Sequence, residues 1–163
     1  MMRVSPEVFR HAMRQWTTGV AVVTSRFGDT QHGMTVNSFT SLSLDPPLVS
    51  ITLANDTRTR NLVQQAGVFG VTILAEEQGD LSDRFAGRIP DEDNRFEGID
   101  TYTLISQSPL LASGLVCLDC IVVHSYFMSG STLYIGQVQA VKHNQQGKPL
   151  VYHNRIYRRL WDG

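Results

Sequence analysis

The chain contains 163 residues, of which 42% are hydrophobic and 18% are charged, and this composition is typical of a globular domain with a substantial core. Its formal net charge of −1 excludes a general electrostatic attraction to nucleic acid or to an anionic membrane. No apolar run approaches the roughly 20 residues of a membrane span, and the first residues, MMRVSPEVF, lack the apolar segment of a secretory signal. We therefore expect a single cytoplasmic domain over residues 1–163.

The first predicted element is a helix that begins after Ser5. A capping hydroxyl, then Pro6 at the first helical position and Glu7 in the first turn, form a typical helix start. Apolar residues at helical spacing then predict a helix with one face buried against the core: Val8, Phe9, Ala12, Met13 and Trp16.

Residues that favour β-structure follow this helix. They form runs at 20–25, at 32–51 and, overlapping the second run, at 48–54. Turn signals lie at 27–33 and at 45–47, where the sequence is Asp-Pro-Pro. The first half of the chain is therefore predicted to contain several short, connected strands.

A short helix is predicted next, with Asn55 or Asp56 as its N-cap and Gly67 as its end. Residues 68–74 then form a strand, and a second helical segment over 76–86 follows it. The first of these helices carries Leu62, Val63 and Ala66, and the second places Leu81 and Phe85 on one side.

The second half of the chain contains a predicted hairpin. Residues 87–109 are charged and irregular, which indicates a surface loop. Long strands at 115–128 and 132–141 are joined by a tight Ser-Gly-Ser turn at 129–131, so they are antiparallel, and a short strand occupies 149–153. Because these strands do not alternate with long helices, the predicted class is mainly β, an antiparallel barrel or sandwich with short peripheral helices.

Two cysteines, Cys117 and Cys120, form a C-x-x-C pattern inside the first strand of this hairpin. Side chains three positions apart on a strand point to opposite faces, so the pattern predicts neither a dithiol nor half of a zinc site. The five histidines show no ligand spacing with these thiols, and we expect no metal site.

Hydroxyl and amide side chains occupy nearly every second position from 35 to 43, which predicts a strand face that carries hydrogen-bond donors and acceptors. The segment Asn-Asp-Thr-Arg-Thr at 55–59 follows at a helix start, where backbone N–H groups, hydroxyls and a guanidinium suit a phosphate. Asp56 opposes this unless its side chain faces away. The pattern fits either a nucleotide-like cofactor with a planar ring or a solvated strand face.

An ordered set of motifs runs from about residue 5 to residue 160: WTTGVAVVTS, HGMTVNSFTSLSLDPPLVSI, NDTRT, FGVTIL, LSDRFAG, the pair Arg95-Phe96, and PLVYHNRIYRRL. This set resembles the flavin reductase-like family. The resemblance implies a single domain over residues 1–163 with the fold of the FMN-binding split barrel, an antiparallel split β-barrel with short peripheral helices. It also implies a homodimer that binds FMN or FAD.

The resemblance further implies roles for particular residues. Four residues of the polar segment would line the isoalloxazine ring: Thr35, Val36, Asn37 and Ser38. The phosphate or ribityl end would be held by Thr57, Arg58 and Thr59. Phe85 would approach the cofactor from the second helix, although Asn37 could equally be a strand-edge residue and Phe85 a core residue. Arg95 would hold either a ligand or a loop.

The turn at 129–131 departs from the family pattern. Many family reductases carry Gly-Asp-His there, and the histidine belongs to the nicotinamide side of the flavin. Here the residues are Ser129, Gly130 and Ser131, a comfortable hairpin turn. The nicotinamide would then be held through Ser131, Tyr157 or flavin stacking alone.

The resemblance implies an NADH- or NADPH-dependent flavin reductase of the short-chain type, the reductase component of a two-component monooxygenase. It would transfer a hydride to FMN or FAD and supply the reduced flavin to a separate monooxygenase. No catalytic acid or base is expected, because a hydride acceptor needs proximity more than proton transfer. The alternatives are a flavoprotein that reduces another acceptor, such as a corrinoid or a metal chelate, and a non-catalytic flavin-binding protein.

Overall fold

The computed structural model of the protein describes residues 3–88 and 94–161, which form three short helices and twelve strands. The helices are α1 (Pro6–Met13), α2 (Arg58–Ala66) and α3 (Gly79–Phe85). The strands are β1 (Thr18–Gly19), β2 (Ala21–Phe27), β3 (Thr30–Val36), β4 (Thr40–Leu44), β5 (Pro47–Ala54), β6 (Val68–Ile73), β7 (Thr101–Tyr102), β8 (Leu110–Leu111), β9 (Val116–Phe127), β10 (Ser131–His143), β11 (Val151–His153) and β12 (Ile156–Arg158).

Seven strands form one antiparallel sheet in the order β3-β2-β6-β9-β10-β5-β4. Strands β1, β11 and β12 form a small second sheet, and β7 pairs with β8. The predicted class, mainly β with antiparallel strands and short helices, is confirmed. Among the described strands β3 and β4 remain the two edges of the large sheet, so closure into a split barrel stays a prediction.

The core lies on both faces of the first half of β2, which explains why its first three residues, Ala21 to Val23, are all apolar. Ala21 and Val23 belong to one buried cluster, with Ile51, Phe69 and others. Val22, on the opposite face, belongs to a second cluster that packs beneath α3. A strand covered on both faces shows no polar alternation, and the short apolar run at 20–23 is the expected signal.

The prediction for α1 is correct in its cap and wrong in its burial. The Ser5 Oγ accepts a hydrogen bond from the backbone N–H of Val8 at 3.3 Å, and Pro6 begins the helix. No residue of α1 is buried, and Phe9 is 60% exposed. The apolar pattern does define one helix face, but nothing within the described chain covers that face.

The polar segment 32–51 is not one strand. β3 ends at Val36 and β4 begins at Thr40, and these two strands occupy opposite edges of the large sheet. The hydroxyl residues of 35–43 therefore do not share one face. The predicted turn at 27–33 is also shorter, because the strands continue to Phe27 and resume at Thr30 around Gly28, whose φ is 58°. The turn at Asp45-Pro46 is confirmed.

The N-cap of α2 is Thr57 rather than Asn55 or Asp56, because its Oγ1 accepts the backbone N–H of Arg60 at 3.3 Å. Gly67 ends the helix with a φ of 68°, as predicted. α3 is shorter than the predicted 76–86.

The predicted loop 87–109 contains β7, and its residues 89–93 lie outside the described residues. Strands β9 and β10 form the predicted antiparallel hairpin, with β10 starting at Ser131. Within the described residues no helix is long and apolar enough to span a membrane.

Cys117 and Cys120 lie on β9, are both buried and are not joined in a disulfide. The Cys117 Sγ lies 3.4 Å from the Thr72 Oγ1, whereas Cys120 belongs to the cluster that contains Phe69. The two thiols therefore have different surroundings, as strand geometry predicts. Burial, followed by the charge of Asp119, raises the pKa of Cys120 to about 12.

Candidate cofactor site

Two adjoining clefts lie where β3 meets α2 and α3. The aromatic cleft, of about 190 Å³, is lined by Val20, Thr35, Val36, Asn37, Ser82, Ala86, Arg88, Tyr152 and Tyr157. The cationic cleft, of about 420 Å³, is lined by His32, Met34, Thr35, Thr57, Arg58, Thr59, Phe85, Ala86 and Arg95. Both clefts include Thr35 and Ala86, so they meet at one shared wall.

Close packing of α3 against β3 fixes this shared wall. Gly33 has no side chain where the Phe85 ring lies, and a Cβ there would come within 2.9 Å of the Phe85 Cε1. The Thr35 Oγ1 donates a hydrogen bond to the Ser82 carbonyl at 2.6 Å. The Arg95 Nη1 donates to the carbonyls of Gly33 at 3.1 Å and of Phe85 at 2.8 Å. Arg95 thus ties its own segment to both elements.

Phe85 belongs both to the core and to the wall of the cationic cleft. Its side chain is fully buried, and its ring meets that of Phe96 edge to face with centroids 5.3 Å apart. It also lines the cationic cleft. The core interpretation is therefore correct for the ring, while contact with a cofactor stays a prediction.

The aromatic cleft is walled by two tyrosines whose ring centroids are 5.7 Å apart, Tyr152 and Tyr157. The Tyr157 hydroxyl lies within hydrogen-bond distance of Asp83 Oδ1 (2.7 Å) and Ser82 Oγ (2.8 Å). Burial is the largest cause that raises the pKa of Tyr157, so this hydroxyl keeps its proton at neutral pH.

Arg88 also lines the aromatic cleft. Its Nη1 forms an ion pair with Asp83 Oδ1 at 2.9 Å, and its Nη2 donates to the Tyr152 hydroxyl at 3.4 Å. The bond with Tyr152 is the largest cause that raises the pKa of Arg88, which therefore remains charged. A cation beside aromatic rings and apolar side chains suits a flat, polar-edged ligand.

The cationic cleft lies at the N-terminal end of α2, where backbone N–H groups are available to an anion. Thr59 is fully buried, and its Oγ1 lies 2.9 Å from His32 Nδ1. The guanidinium groups of Arg58 and Arg95 supply positive charge to the cleft. Asp56 is exposed and is not one of the residues that line this cleft, so its carboxylate is not part of the set of groups that an anion would contact there. This donor set fits a phosphate group.

The hairpin turn lies beside α2 and outside both clefts. The Asn55 Nδ2 donates to the Met128 carbonyl at 2.8 Å, and the Thr132 Oγ1 donates to the Asn55 Oδ1 at 2.7 Å. Ser131 faces Ala54 across the ladder. Asn55 therefore ties the turn to the chain just before the helix that carries the phosphate-type site.

Eight of the predicted cofactor and nicotinamide residues line one or both clefts: Thr35, Val36, Asn37, Thr57, Arg58, Thr59, Phe85 and Tyr157. Ser38 and Ser131 are not among the described residues that line either cleft. The Ser38 hydroxyl instead donates to the Thr52 carbonyl at 2.9 Å and accepts the Thr52 N–H at 3.0 Å. The cofactor role of Ser38 and the nicotinamide role of Ser131 stay predictions.

Sequence reasoning missed several residues of the clefts: His32, Ser82, Ala86, Arg88 and Tyr152. Ser82 and Ala86 belong to the LSDRFAG motif and could have been found there. Arg88 and Tyr152 are far apart in sequence and give no local signal. The described residues contain no group of three or more His, Cys, Asp or Glu side chains that could hold a metal ion.

A mainly β fold with an aromatic cleft next to a cationic cleft is typical of a protein that binds a nucleotide-like cofactor. Residues 13–160 match the family described as "Flavin reductase like domain". The chain belongs to this family.

Relatives with similar sequences support the assignment. The chain is 35% identical over 164 residues to an NADH-dependent flavin reductase from Rhodococcus sp, covering 96% of this chain and 88% of the relative. It is also 35% identical over 159 residues to the reductase component of 4-hydroxyphenylacetate 3-monooxygenase from Thermus thermophilus, covering 94% and 96%.

Solved structures show the same fold. The NADH:FAD oxidoreductase SgcE6 of Streptomyces globisporus superposes with a TM-score of 0.88 at 28% identity, covering 99% of this chain and 98% of that one. The flavin reductase of styrene monooxygenase from Pseudomonas putida S12 superposes with a TM-score of 0.83 at 33% identity, covering 93% and 96%.

Proposed function

We propose that the protein is an NADH- or NADPH-dependent flavin reductase that supplies reduced FMN or FAD to a separate monooxygenase. The observation that carries this proposal is the junction of the aromatic and cationic clefts at Thr35 and Ala86, in a chain of the flavin reductase family. One cleft suits a planar ring and the other a phosphate, and a flavin nucleotide has both groups.

The chain's own residues bind and orient in this proposal. Arg58 and Thr59, at the start of α2, hold the phosphate end through charge and hydroxyl contacts. Thr35, Val36 and Asn37 line the ring end, where the bound flavin supplies hydride-accepting chemistry. Tyr157, whose hydroxyl is hydrogen-bonded to Ser82 and Asp83, lines the same cleft, and a nicotinamide would contact it there.

Steady-state oxidation of NADH and NADPH, with FMN, FAD or riboflavin added, tests the proposal. Turnover that scales with free flavin supports it. Tight flavin binding without turnover would instead indicate a non-catalytic flavin-binding protein. Turnover only with a corrinoid or a metal chelate would indicate another acceptor.

A charge-matched pair of variants tests the phosphate end. Arg58→Ala removes a cation from the cleft, and we expect FMN binding to weaken about ten- to hundredfold, the equivalent of one charge-assisted hydrogen bond. Arg26→Ala removes a cation from the exposed end of β2, where its Nε donates to the Gly28 carbonyl, and should leave the affinity unchanged. Equal effects of the two substitutions on FMN affinity would contradict the assignment.

We also propose that the protein is a homodimer. Phe9 on α1 is 60% exposed, Trp16, three residues after the end of α1, is 69% exposed, and Phe127 at the end of β9 is 72% exposed. Large exposed apolar side chains are typical of interaction surfaces, and a second copy would cover them. Size-exclusion chromatography with light scattering tests this, and a stable monomer at micromolar concentration would contradict it.

The remaining parts of the proposal concern extent and location. We propose that residues 1–163 form a single flavin reductase-like domain, which is supported by the family match over residues 13–160. We propose a cytoplasmic location, supported by the free thiols of Cys117 and Cys120, since reduced cysteines are usual in that compartment.

A further inference from the structure

Helix α1 carries a basic face opposite its apolar face. Arg10, His11 and Arg14 recur on this face at helical spacing. Together with Glu7 and Val8 they line an open cleft of about 490 Å³. The Nε of Arg14 is buried and makes no hydrogen bond to any of the described residues. This guanidinium therefore has a donor left for a carboxylate of a partner, which arginine binds through charge-assisted hydrogen bonds.

The tip of the β11–β12 hairpin adds to this positive charge. The backbone N–H of Asn154 donates to the Arg14 carbonyl at 3.1 Å, so the exposed Arg155 stands next to the end of α1. Three arginines against the one glutamate of the cleft leave this region positive, although the chain as a whole has a net charge of −1. We call the region the basic surface and define it by four residues: Arg10, His11, Arg14 and Arg155.

Arg155 occupies a turn position that favours glycine. His153 pairs with Ile156 across the hairpin. The two residues between them, Asn154 and Arg155, have φ values of 48° and 65°. Positive φ at both central residues is the geometry of a type I′ turn, in which glycine usually follows asparagine. An arginine in this conformation is strained, and strained positions are concentrated at functional sites. The exposed charge at the tip is therefore the feature of this turn that a partner would use.

The same hairpin connects the basic surface to the aromatic cleft. Tyr157 of β12 lines that cleft, and its neighbours Ile156 and Arg158 point to the opposite face of the strand, where both are exposed. A partner on the outer side of the hairpin would therefore lie beside the cleft that holds the flavin ring in the proposed function. Reduced flavin reacts with dioxygen in solution, so a monooxygenase bound there would receive it over a short path.

We propose that the basic surface docks an acidic surface patch of the monooxygenase that receives the reduced flavin. This inference rests on the proposed function, because it takes the partner to be a monooxygenase. Opposite charges on two proteins raise the rate of association and orient the encounter. Ile156 and Trp161, which are 51% and 90% exposed, supply apolar surface on the chain that follows Arg155, and arginine and tryptophan are enriched at protein interfaces. The apolar face of α1 stays available to the second copy.

The first measurement titrates poly-L-glutamate into the protein by calorimetry at low ionic strength, because this polymer offers carboxylates without phosphate, lipid or base. Arg155→Gly removes the charge and relieves the strained turn, so we expect about two- to fivefold weaker binding and a melting temperature that does not fall. Arg26→Ala removes one exposed charge at the end of β2 and is the matched control, which should change binding little. Both variants should oxidise NADH with free flavin at the wild-type rate.

The second measurement passes an extract of the source cells over the immobilised protein and identifies the retained proteins by mass spectrometry. We expect a flavin-dependent monooxygenase to be retained by the wild type and by Arg26→Ala and to be released by added salt. The combination of Arg10→Ala with Arg155→Gly should abolish this retention.

Several results would overturn the inference. Absent binding of poly-L-glutamate to the wild type, or equal weakening by Arg155→Gly and Arg26→Ala, would show that the basic surface has no particular affinity for carboxylates. Retention of no monooxygenase, or retention that the double variant leaves unchanged, would remove the docking surface. Tighter binding to phosphatidylglycerol vesicles than to poly-L-glutamate, lost in Arg155→Gly, would assign the basic surface to a membrane. These results leave the proposed function intact, whereas wild-type protein that oxidises NADH with none of the added flavins would overturn the proposed function itself.

Discussion

Asn37 and Ser38 are neighbours in the connection between β3 and β4, and the structure predicts that alanine has different effects at the two positions. Asn37 is exposed and lines the aromatic cleft. The Ser38 hydroxyl makes two hydrogen bonds to the backbone of Thr52, one as donor and one as acceptor. One residue therefore faces the proposed ligand, and the other holds the connection against β5.

Ser38→Ala removes both hydrogen bonds and leaves a partly buried N–H and carbonyl without these partners. At about 1 kcal/mol for each bond, the free energy of unfolding should fall by about 2 kcal/mol. For a chain of this size the melting temperature should fall by roughly 4–8 °C. Asn37→Ala should change the melting temperature little and weaken flavin binding by about 1 kcal/mol, or several-fold.

Thermal unfolding followed by circular dichroism and flavin titration separate the two effects. Ser41→Ala, at an exposed position of β4, is the matched control and should change the free energy of unfolding by less than about 0.5 kcal/mol. Unchanged flavin affinity in a folded Asn37→Ala variant would refute the assignment of the aromatic cleft to the ring. A Ser38→Ala variant with the stability of the control would refute the structural role of that hydroxyl.

Three further predictions concern β9 and the hairpin. The family resemblance predicts that Ser131→His lowers the KM for the nicotinamide several-fold, the equivalent of about 1 kcal/mol, whereas the position of Ser131 outside both clefts predicts unchanged kinetics. Steady-state kinetics of a folded variant with NADH and NADPH decide between the two, and an unchanged KM would show that the hairpin does not touch the donor. Cys117→Ser should lower the free energy of unfolding only slightly, since its thiol already lies within hydrogen-bond distance of Thr72. Cys120→Ser buries a hydroxyl in the core and should lower the free energy of unfolding by about 1–3 kcal/mol. Both variants should retain turnover in the steady-state assay, and loss of turnover in a folded, flavin-loaded variant would contradict this. The raised pKa of Cys120 means that the unfolded chain loses this proton at lower pH than the folded chain does. The contribution of Cys120 to stability should therefore be fully present below about pH 9.0 and be lost as the pH rises toward about 12. Denaturant titrations at each pH should show a smaller fall in the free energy of unfolding over this range for Cys120→Ala than for the wild type.

The sequence predicted those elements whose signals are local. The start of α1 at Ser5-Pro6, the end of α2 at Gly67 and the β9–β10 hairpin depend on residues adjacent in the chain, and the structure confirms them. The burial of the α1 face was predicted wrongly, because a helical apolar pattern shows which side is apolar but not what covers it.

The polar segment shows a second limit. A ladder of alternating hydroxyls predicts one strand face, but the chain leaves the sheet between Val36 and Thr40 and re-enters at the opposite edge. That break depends on tertiary contacts such as the bonds of Ser38 to Thr52, which no local pattern reveals. Arg88 and Tyr152 were missed for the same reason, because they reach the cleft from distant parts of the chain.

The order of strands in the large sheet has a consequence for the growing polypeptide. β4 and β5 form a local pair, but the other edge of β5 pairs with β10, from Leu48 opposite Gln137 to Ala54 opposite Ser131. At a synthesis rate of roughly 5–20 residues per second, β5 waits several seconds for a partner strand about 80 residues away. During that interval its unpaired N–H and C=O groups can pair with another nascent chain. Fragments that end before residue 131 would therefore have an open, apolar strand edge, and such fragments should aggregate rather than remain as folded half-sheets.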